Sequence, residues 1–139
     1  MTPETLANIH ARSIQVPAPW SALTFAGFLA ARGAILTCED HGFALGRVIV
    51  DEAELLTLAV VPESRRSGIA RKCLAAFEHN AAKKGAKRAF LEVAETNSAA
   101  RALYRGSGWI EEAVRSNYYK LPDGGTINAV VMSKSLTTA

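Results

Sequence analysis

Between Val60 and Arg71 the chain reads Val60-Val61-Pro62-Glu63-Ser64-Arg65-Arg66-Ser67-Gly68-Ile69-Ala70-Arg71, an apolar strand running into a basic, glycine-marked turn and then a helix. A strand that hands over to a helix in this way belongs to a mixed α/β sheet. The same order of parts makes a phosphate site. The first turn of a helix leaves backbone N–H groups unpaired, and the helix dipole adds partial positive charge there. Gly68 lets an anion approach the backbone, while Arg65, Arg66 and Arg71 add full charges around it.

The rest of the chain supplies the sheet. Thr5 to Ile14 has helical periodicity, with Leu6 and Ile9 on one face; Pro17-Ala18-Pro19-Trp20 interrupts it, and Ser21 caps a second helix through about Arg32, ended by Gly33. Ala34–Cys38, Phe43–Val50 and Glu54–Val61 read as strands. The helix Gly68–Lys84 puts Ile69, Cys73 and Phe77 on one stripe. Arg88–Val93 is a strand, Ser98–Arg105 a short helix capped by Thr96 or Asn97, and Trp109–Tyr119 with Thr126–Lys134 a closing hairpin around Leu121–Gly125. The expectation is one α/β (α+β) domain over residues 1–139, with helices flanking a mixed, mostly antiparallel sheet.

Composition narrows the partners. Hydrophobic residues make up 49% and charged residues 21%, which is ordinary globular composition. A net charge of +3 suits an anionic ligand but is too small and scattered for nucleic-acid binding. Cys38 and Cys73 form no disulfide framework and read as small buried hydrophobes in a reducing compartment. His10, His41 and His79 lack metal-ligand spacing, so no metal is expected. No long apolar run opens the chain, which reads as cytoplasmic, with no membrane partner and a monomeric or weakly dimeric state.

Nucleotide hydrolases would place Gly-Lys-Ser/Thr in the turn, and dinucleotide enzymes a Gly-x-Gly-x-x-Gly; neither occurs. Arg65-Arg66-Ser67-Gly68-Ile69-Ala70 instead resembles the Arg/Gln-x-x-Gly-x-Gly/Ala signature of the GNAT superfamily of N-acetyltransferases. That turn holds the pyrophosphate of acetyl-coenzyme A (acetyl-CoA) in the family. Leu91-Glu92-Val93, Asn97, Ala102-Leu103-Tyr104, Gly108-Trp109, Arg115-Ser116-Asn117-Tyr118-Tyr119, Asp123-Gly124 and Met132 then follow in order. This series, from about Ala53 to Leu136, is similar to the RimI-type ribosomal-protein alanine N-acetyltransferases, as is Pro19-Trp20-Ser21 upstream. Two departures stand out. Ala70 replaces a frequent second glycine, and Met1–Glu4 is too short for the fold's usual first strand, so the sheet is expected to lack that edge or to have another segment in its place.

The resemblance implies roles that compete with plainer ones. Glu92 lies in an apolar strand expected to be covered on both faces, where a carboxylate needs a partner; it reads either as an arginine ion pair or as the general base, acting through water. Tyr104 reads as satisfied core or as the acid that protonates the departing thiolate. Asn97 is a helix cap, a coenzyme A contact, or both. Leu58, Ala59 and Val60 would act through their backbone, on a strand expected to splay from its neighbour and leave N–H groups for the thioester carbonyl. Arg115, Asn117, Tyr118 and Tyr119 would wall the groove for the acceptor, with Trp20 opposite, although aromatics also favour strands for their own sake. With acetyl-CoA bound around Arg65–Arg71, the implied activity is acetylation of a protein N-terminus, that of the alanine of a small-subunit ribosomal protein. The alternatives are a related enzyme for lysines or small amines, and a non-catalytic acyl-CoA-binding module.

Overall fold

The computed structural model describes residues 1–14, 18–65 and 67–136. Two helices come first, α1 (Pro3–Ser13) and α2 (Ala22–Ala30). Thr2 and Ser21 cap them, each side-chain oxygen accepting from the backbone N–H three residues on. Three strands follow, β1 (Ala34–Glu39), β2 (Gly42–Ile49) and β3 (Glu52–Val60), then a 3₁₀ turn at Pro62–Ser64 and α3 (Ile69–Lys83). The remainder is β4 (Arg88–Ala94), α4 (Ser98–Gly106), β5 (Ile110–Lys120) and β6 (Thr126–Ser135). The order across the sheet is β1-β2-β3-β4-β6-β5. Among the described residues no strand precedes α1, and β1 is a sheet edge.

The pair that matters most is β3 with β4, which run parallel and match only at Glu52↔Arg88, Ala53↔Ala89 and Glu54↔Phe90. Beyond those positions β3 stays with β2 as far as Val60, and β4 stays with β6 as far as Ala94. A wedge therefore opens between Leu55–Val60 and Leu91–Ala94, with one edge of β3 free of a partner strand. Leu45↔Thr57 followed by Gly46↔Leu55 leaves Leu56 as an extra residue in β3, a bulge that bends the strand at the mouth of the wedge.

Each face of the sheet has its own core. On one, Leu74, Phe77 and Ala81 of α3 pack with Leu55, Leu91, Met132 and Trp109. On the other, Leu6 and Ile9 of α1 and Phe25 of α2 cover Phe43, Leu45 and Ala59. Burying side chains of this size contributes about 1.5–3 kcal/mol each. Gly46 makes room for Phe77: a Cβ there would lie 2.3 Å from the ring and 2.4 Å from the Glu54 carbonyl oxygen. The Trp109 indole N–H donates to Glu78 at 3.2 Å, and Lys134 donates to the same carboxylate at 2.5 Å and to the Ser107 carbonyl at 2.7 Å.

Two expectations are corrected here. Cys73 is buried but Cys38 is exposed, because it sits near the end of the edge strand. Strand β4 is not covered on both faces. The helices α1 and α2 pack on β3 and β1, so Ala89, Leu91 and Val93 are buried whereas Phe90 and Glu92 on the opposite face are only half-buried.

Candidate active site

A cleft of about 1130 Å³ follows the wedge, from the last turn of α1 and Trp20, past β3 and the start of α3, to β4 and α4. Leu58, Ala59 and Val60 form its β3 side. Gly68 begins α3 with φ +85°, a left-handed conformation that glycine adopts freely. Among the described residues no atom lies within 4 Å of where its Cβ would be, which leaves the approach to the backbone open on their side. The first helical bond runs from Lys72 N to Gly68 O at 3.0 Å. The N–H groups of Ile69, Ala70 and Arg71 precede it and point out of the helix end. No acidic residue occupies this turn, and Ile69, Ala70 and Arg71 all line the cleft.

The neighbouring basic residues divide. The Arg65 guanidinium lines the cleft but is tied back, donating to the Ser13 carbonyl at 2.9 Å and the Val60 carbonyl at 3.4 Å. The Ser67 hydroxyl donates to the Ser64 carbonyl and lies outside the cleft wall. Arg66 lies outside the described residues, as does Pro17 of the Pro-Ala-Pro-Trp stretch.

Glu92 reaches the cleft from the open face of β4. Its Oε1 lies 3.8 Å from Arg115 Nε, so the arginine pair exists, with Glu92 19% and Arg115 57% exposed. Its Oε2 is buried and, among the described residues, has no hydrogen-bond partner. A buried acceptor without a donor is costly in a finished fold. It fits a site that waits for one from a ligand. Tyr104, on α4, is buried at the same cleft with its ring 6.0 Å from Trp109. Burial, with a smaller effect from Tyr119, pushes its phenol well above the usual range, so the hydroxyl keeps its proton. Asn97 caps α4, its Oδ1 accepting from Ala100 N–H at 3.1 Å, and also lines the cleft.

The expected acceptor wall is only partly assembled. Trp20 and Tyr119 line the cleft; Arg115, Asn117 and Tyr118 do not. Asn117 has φ +54° and sits in a bulge where β5 passes from Arg115↔Ala129 to Tyr119↔Ile127. Its N–H donates to Asn128 Oδ1 and its Oδ1 accepts from the Thr126 hydroxyl, both at 2.8 Å. Asn117 thus shapes the hairpin, and the two extra residues bring Tyr119 opposite Ile127. Tyr118 stands edge-on to Tyr119 at 5.1 Å beneath the Arg115 guanidinium at 5.5 Å. The Glu92 carboxylate, as acceptor and as charge, raises the Tyr118 phenol. Burial, then the Glu92 charge, pushes Tyr119 up to about 12.

Among the cleft residues that the sequence reading did not assign are His10 and Thr57, which share a contact of 3.0 Å between Nε2 and Oγ1. The signal for His10 was its place beside Leu6 and Ile9, at i+4 and i+1 on the apolar stripe of the first helix.

Known proteins similar to this chain in sequence and in fold agree with one another. The acetyltransferase (GNAT) family model matches residues 8–109. The [ribosomal protein bS18]-alanine N-acetyltransferases of Haemophilus ducreyi and Escherichia coli K12 are each 36% identical over 119 residues, covering 83% of this chain and 82% and 80% of theirs. The crystal structure of the ribosomal-protein-S18-alanine N-acetyltransferase from Escherichia coli superposes with a TM-score of 0.85 at 32% identity, over 99% of this chain and 89% of that one. With the splayed strands, the glycine-led helix and the carboxylate of β4 in one cleft, the chain belongs to the GNAT acetyltransferase family.

Proposed function

We propose that this protein transfers the acetyl group of acetyl-CoA to the α-amino group of a protein N-terminus, that of the alanine of ribosomal protein bS18. One observation carries the reading: Glu92 with its unpartnered Oε2, Tyr104, and the open first turn of α3 line a single cleft across the β3–β4 wedge. The relatives named for this activity, at 36% identity, supply the acceptor.

The residues present fit acetyl-CoA. The α3 start offers N–H donors, an αL glycine with open space before it and no acid in its turn, which suits a pyrophosphate. Arg71 adds a charge there, whereas Arg65 holds the turn to α1 and β3. The free edge of β3 near Leu58–Val60 suits the amides and carbonyl of an extended pantetheine arm. When bound, acetyl-CoA supplies the acetyl group as a thioester.

The chain's own residues then handle protons and charge. Glu92 takes a proton from the acceptor, directly or through water; an α-amino group, with a pKa of about 7.7–8.0, gives it up readily. Backbone N–H groups of β3 donate to the thioester oxygen as negative charge develops on it. As the amine nitrogen bonds the acetyl carbon and the carbon–sulfur bond breaks, the Tyr104 hydroxyl would hydrogen-bond the departing sulfur and pass it a proton, replaced through solvent by the one Glu92 took up. Steady-state kinetics with Glu92→Gln and Tyr104→Phe test these roles. Turnover falls about 100-fold or more in the first and about tenfold in the second, with acetyl-CoA affinity near normal; wild-type turnover in both would reduce the site to a binding module.

A further inference from the structure

His10 lines the cleft yet has no part in the chemistry above. It is 1% exposed, and its polar atoms are both engaged. Nδ1 accepts the Trp20 backbone N–H at 2.9 Å, which places the ring proton on Nε2. Nε2–H then donates to Thr57 Oγ1 at 3.0 Å. The ring also packs against the Trp20 indole at 5.2 Å and Phe25 at 5.3 Å. Thr57 directly follows Leu56, the extra residue of the β3 bulge. One imidazole thus joins the wall carried by Trp20 to the strand that bends at the mouth of the wedge. Thr57 is 47 residues from His10, and no backbone ladder connects Trp20 to β3 among the described residues.

We propose that His10 is a positioning residue for the acceptor: by pinning Trp20 to Thr57 it sets the width of the acceptor half of the cleft and so brings the incoming amine to Glu92. The proposal rests on the acceptor assignment made above. It places His10 outside the cofactor half, since neither of its bonds touches the α3 turn. Removing both bonds while keeping an aromatic ring widens or loosens the acceptor side and leaves the coenzyme side as it was.

The test uses His10→Phe, His10→Asn and Thr57→Val in the whole protein. Peptide KM comes from acetylation of an alanine-first hexapeptide, acetyl-CoA affinity from calorimetry, and Trp20 exposure from acrylamide quenching. Trp109, the other tryptophan, is 2% exposed, so added quenching reports Trp20. His10→Phe is expected to raise the peptide KM about tenfold, with acetyl-CoA affinity unchanged within about twofold and quenching increased. His10→Asn, whose Oδ1 takes the place of Nδ1 and keeps the Trp20 bond, restores KM to within about threefold of wild type. If His10→Phe does not fold, Thr57→Val carries the same split with a smaller rise in KM. A wild-type KM and quenching in His10→Phe, an equal loss of acetyl-CoA affinity, or an Asn variant as poor as Phe overturns the proposal. A wild-type protein that acetylates no peptide defeats the acceptor assignment instead, and quenching of His10→Phe then decides the positioning role alone.

Discussion

Acidification tests the same buried histidine through stability. Burial lowers the His10 pKa from 6.5 to about 4. A second proton would have to enter at Nδ1, where it would face the Trp20 N–H donor-to-donor. Between those two pH values the unfolded chain binds a proton at His10 that the folded chain refuses, so stability rises with pH across the window. The contribution is fully present above about pH 6.5, is lost as pH falls through 6.5, and stops falling near pH 4. At about 1.36 kcal/mol per pH unit, the loss between pH 7.5 and pH 5.0 is about 2 kcal/mol. Urea unfolding at those two pH values measures it, with His10→Phe as the reference, because subtraction cancels every group the two proteins share. The wild type is expected to lose about 2 kcal/mol more than the variant over that interval. Equal losses in the two proteins would show that His10 is protonated in the native fold, and that the Trp20 bond does not hold it neutral.

Two glycines separate packing from backbone strain. Gly46→Ala is expected to lower stability by about 2 kcal/mol or more in thermal unfolding, since its Cβ would lie 2.3 Å from Phe77. Gly68→Ala meets no atom of the described residues within 4 Å and is expected to cost the αL penalty of about 1–2 kcal/mol, and to weaken acetyl-CoA binding in calorimetry as the turn shifts. Asn97→Ala removes the α4 cap and is expected to cost about 1 kcal/mol; a further drop in acetyl-CoA affinity beyond what Ser at that position shows would mark a direct coenzyme contact.

What the sequence discloses is what local chemistry controls. Ser21 and Asn97 cap their helices through their own side chains, and Gly68 opens α3 as an αL residue, so those boundaries could be read from a few neighbouring residues. The cleft walls depend on events that alternation hides. Leu56 and the segment between Arg115 and Tyr119 break the regular pairing with bulges, so Tyr119 rather than Asn117 stands opposite Ile127. The charge of Arg65 is legible locally, but its bond to the Ser13 carbonyl, 52 residues away, is not. His10 and Thr57, 47 residues apart, meet only once α1 lies across β3. The open face of β4 follows from where α1 and α2 end, which no pattern within Ala89–Ala94 records.

The central claim is that the acceptor is a protein N-terminus beginning with alanine. The direct measurement is acetyl transfer from acetyl-CoA to a panel of hexapeptides differing in their first residues, beside N-terminally blocked lysine peptides, polyamines and an aminoglycoside, with products read by mass spectrometry. The account predicts that the alanine-first bS18 peptide has the highest kcat/KM, by about tenfold or more over other first residues, with acetyl on the α-amino group. Faster acetylation of lysine side chains or small amines would contradict it.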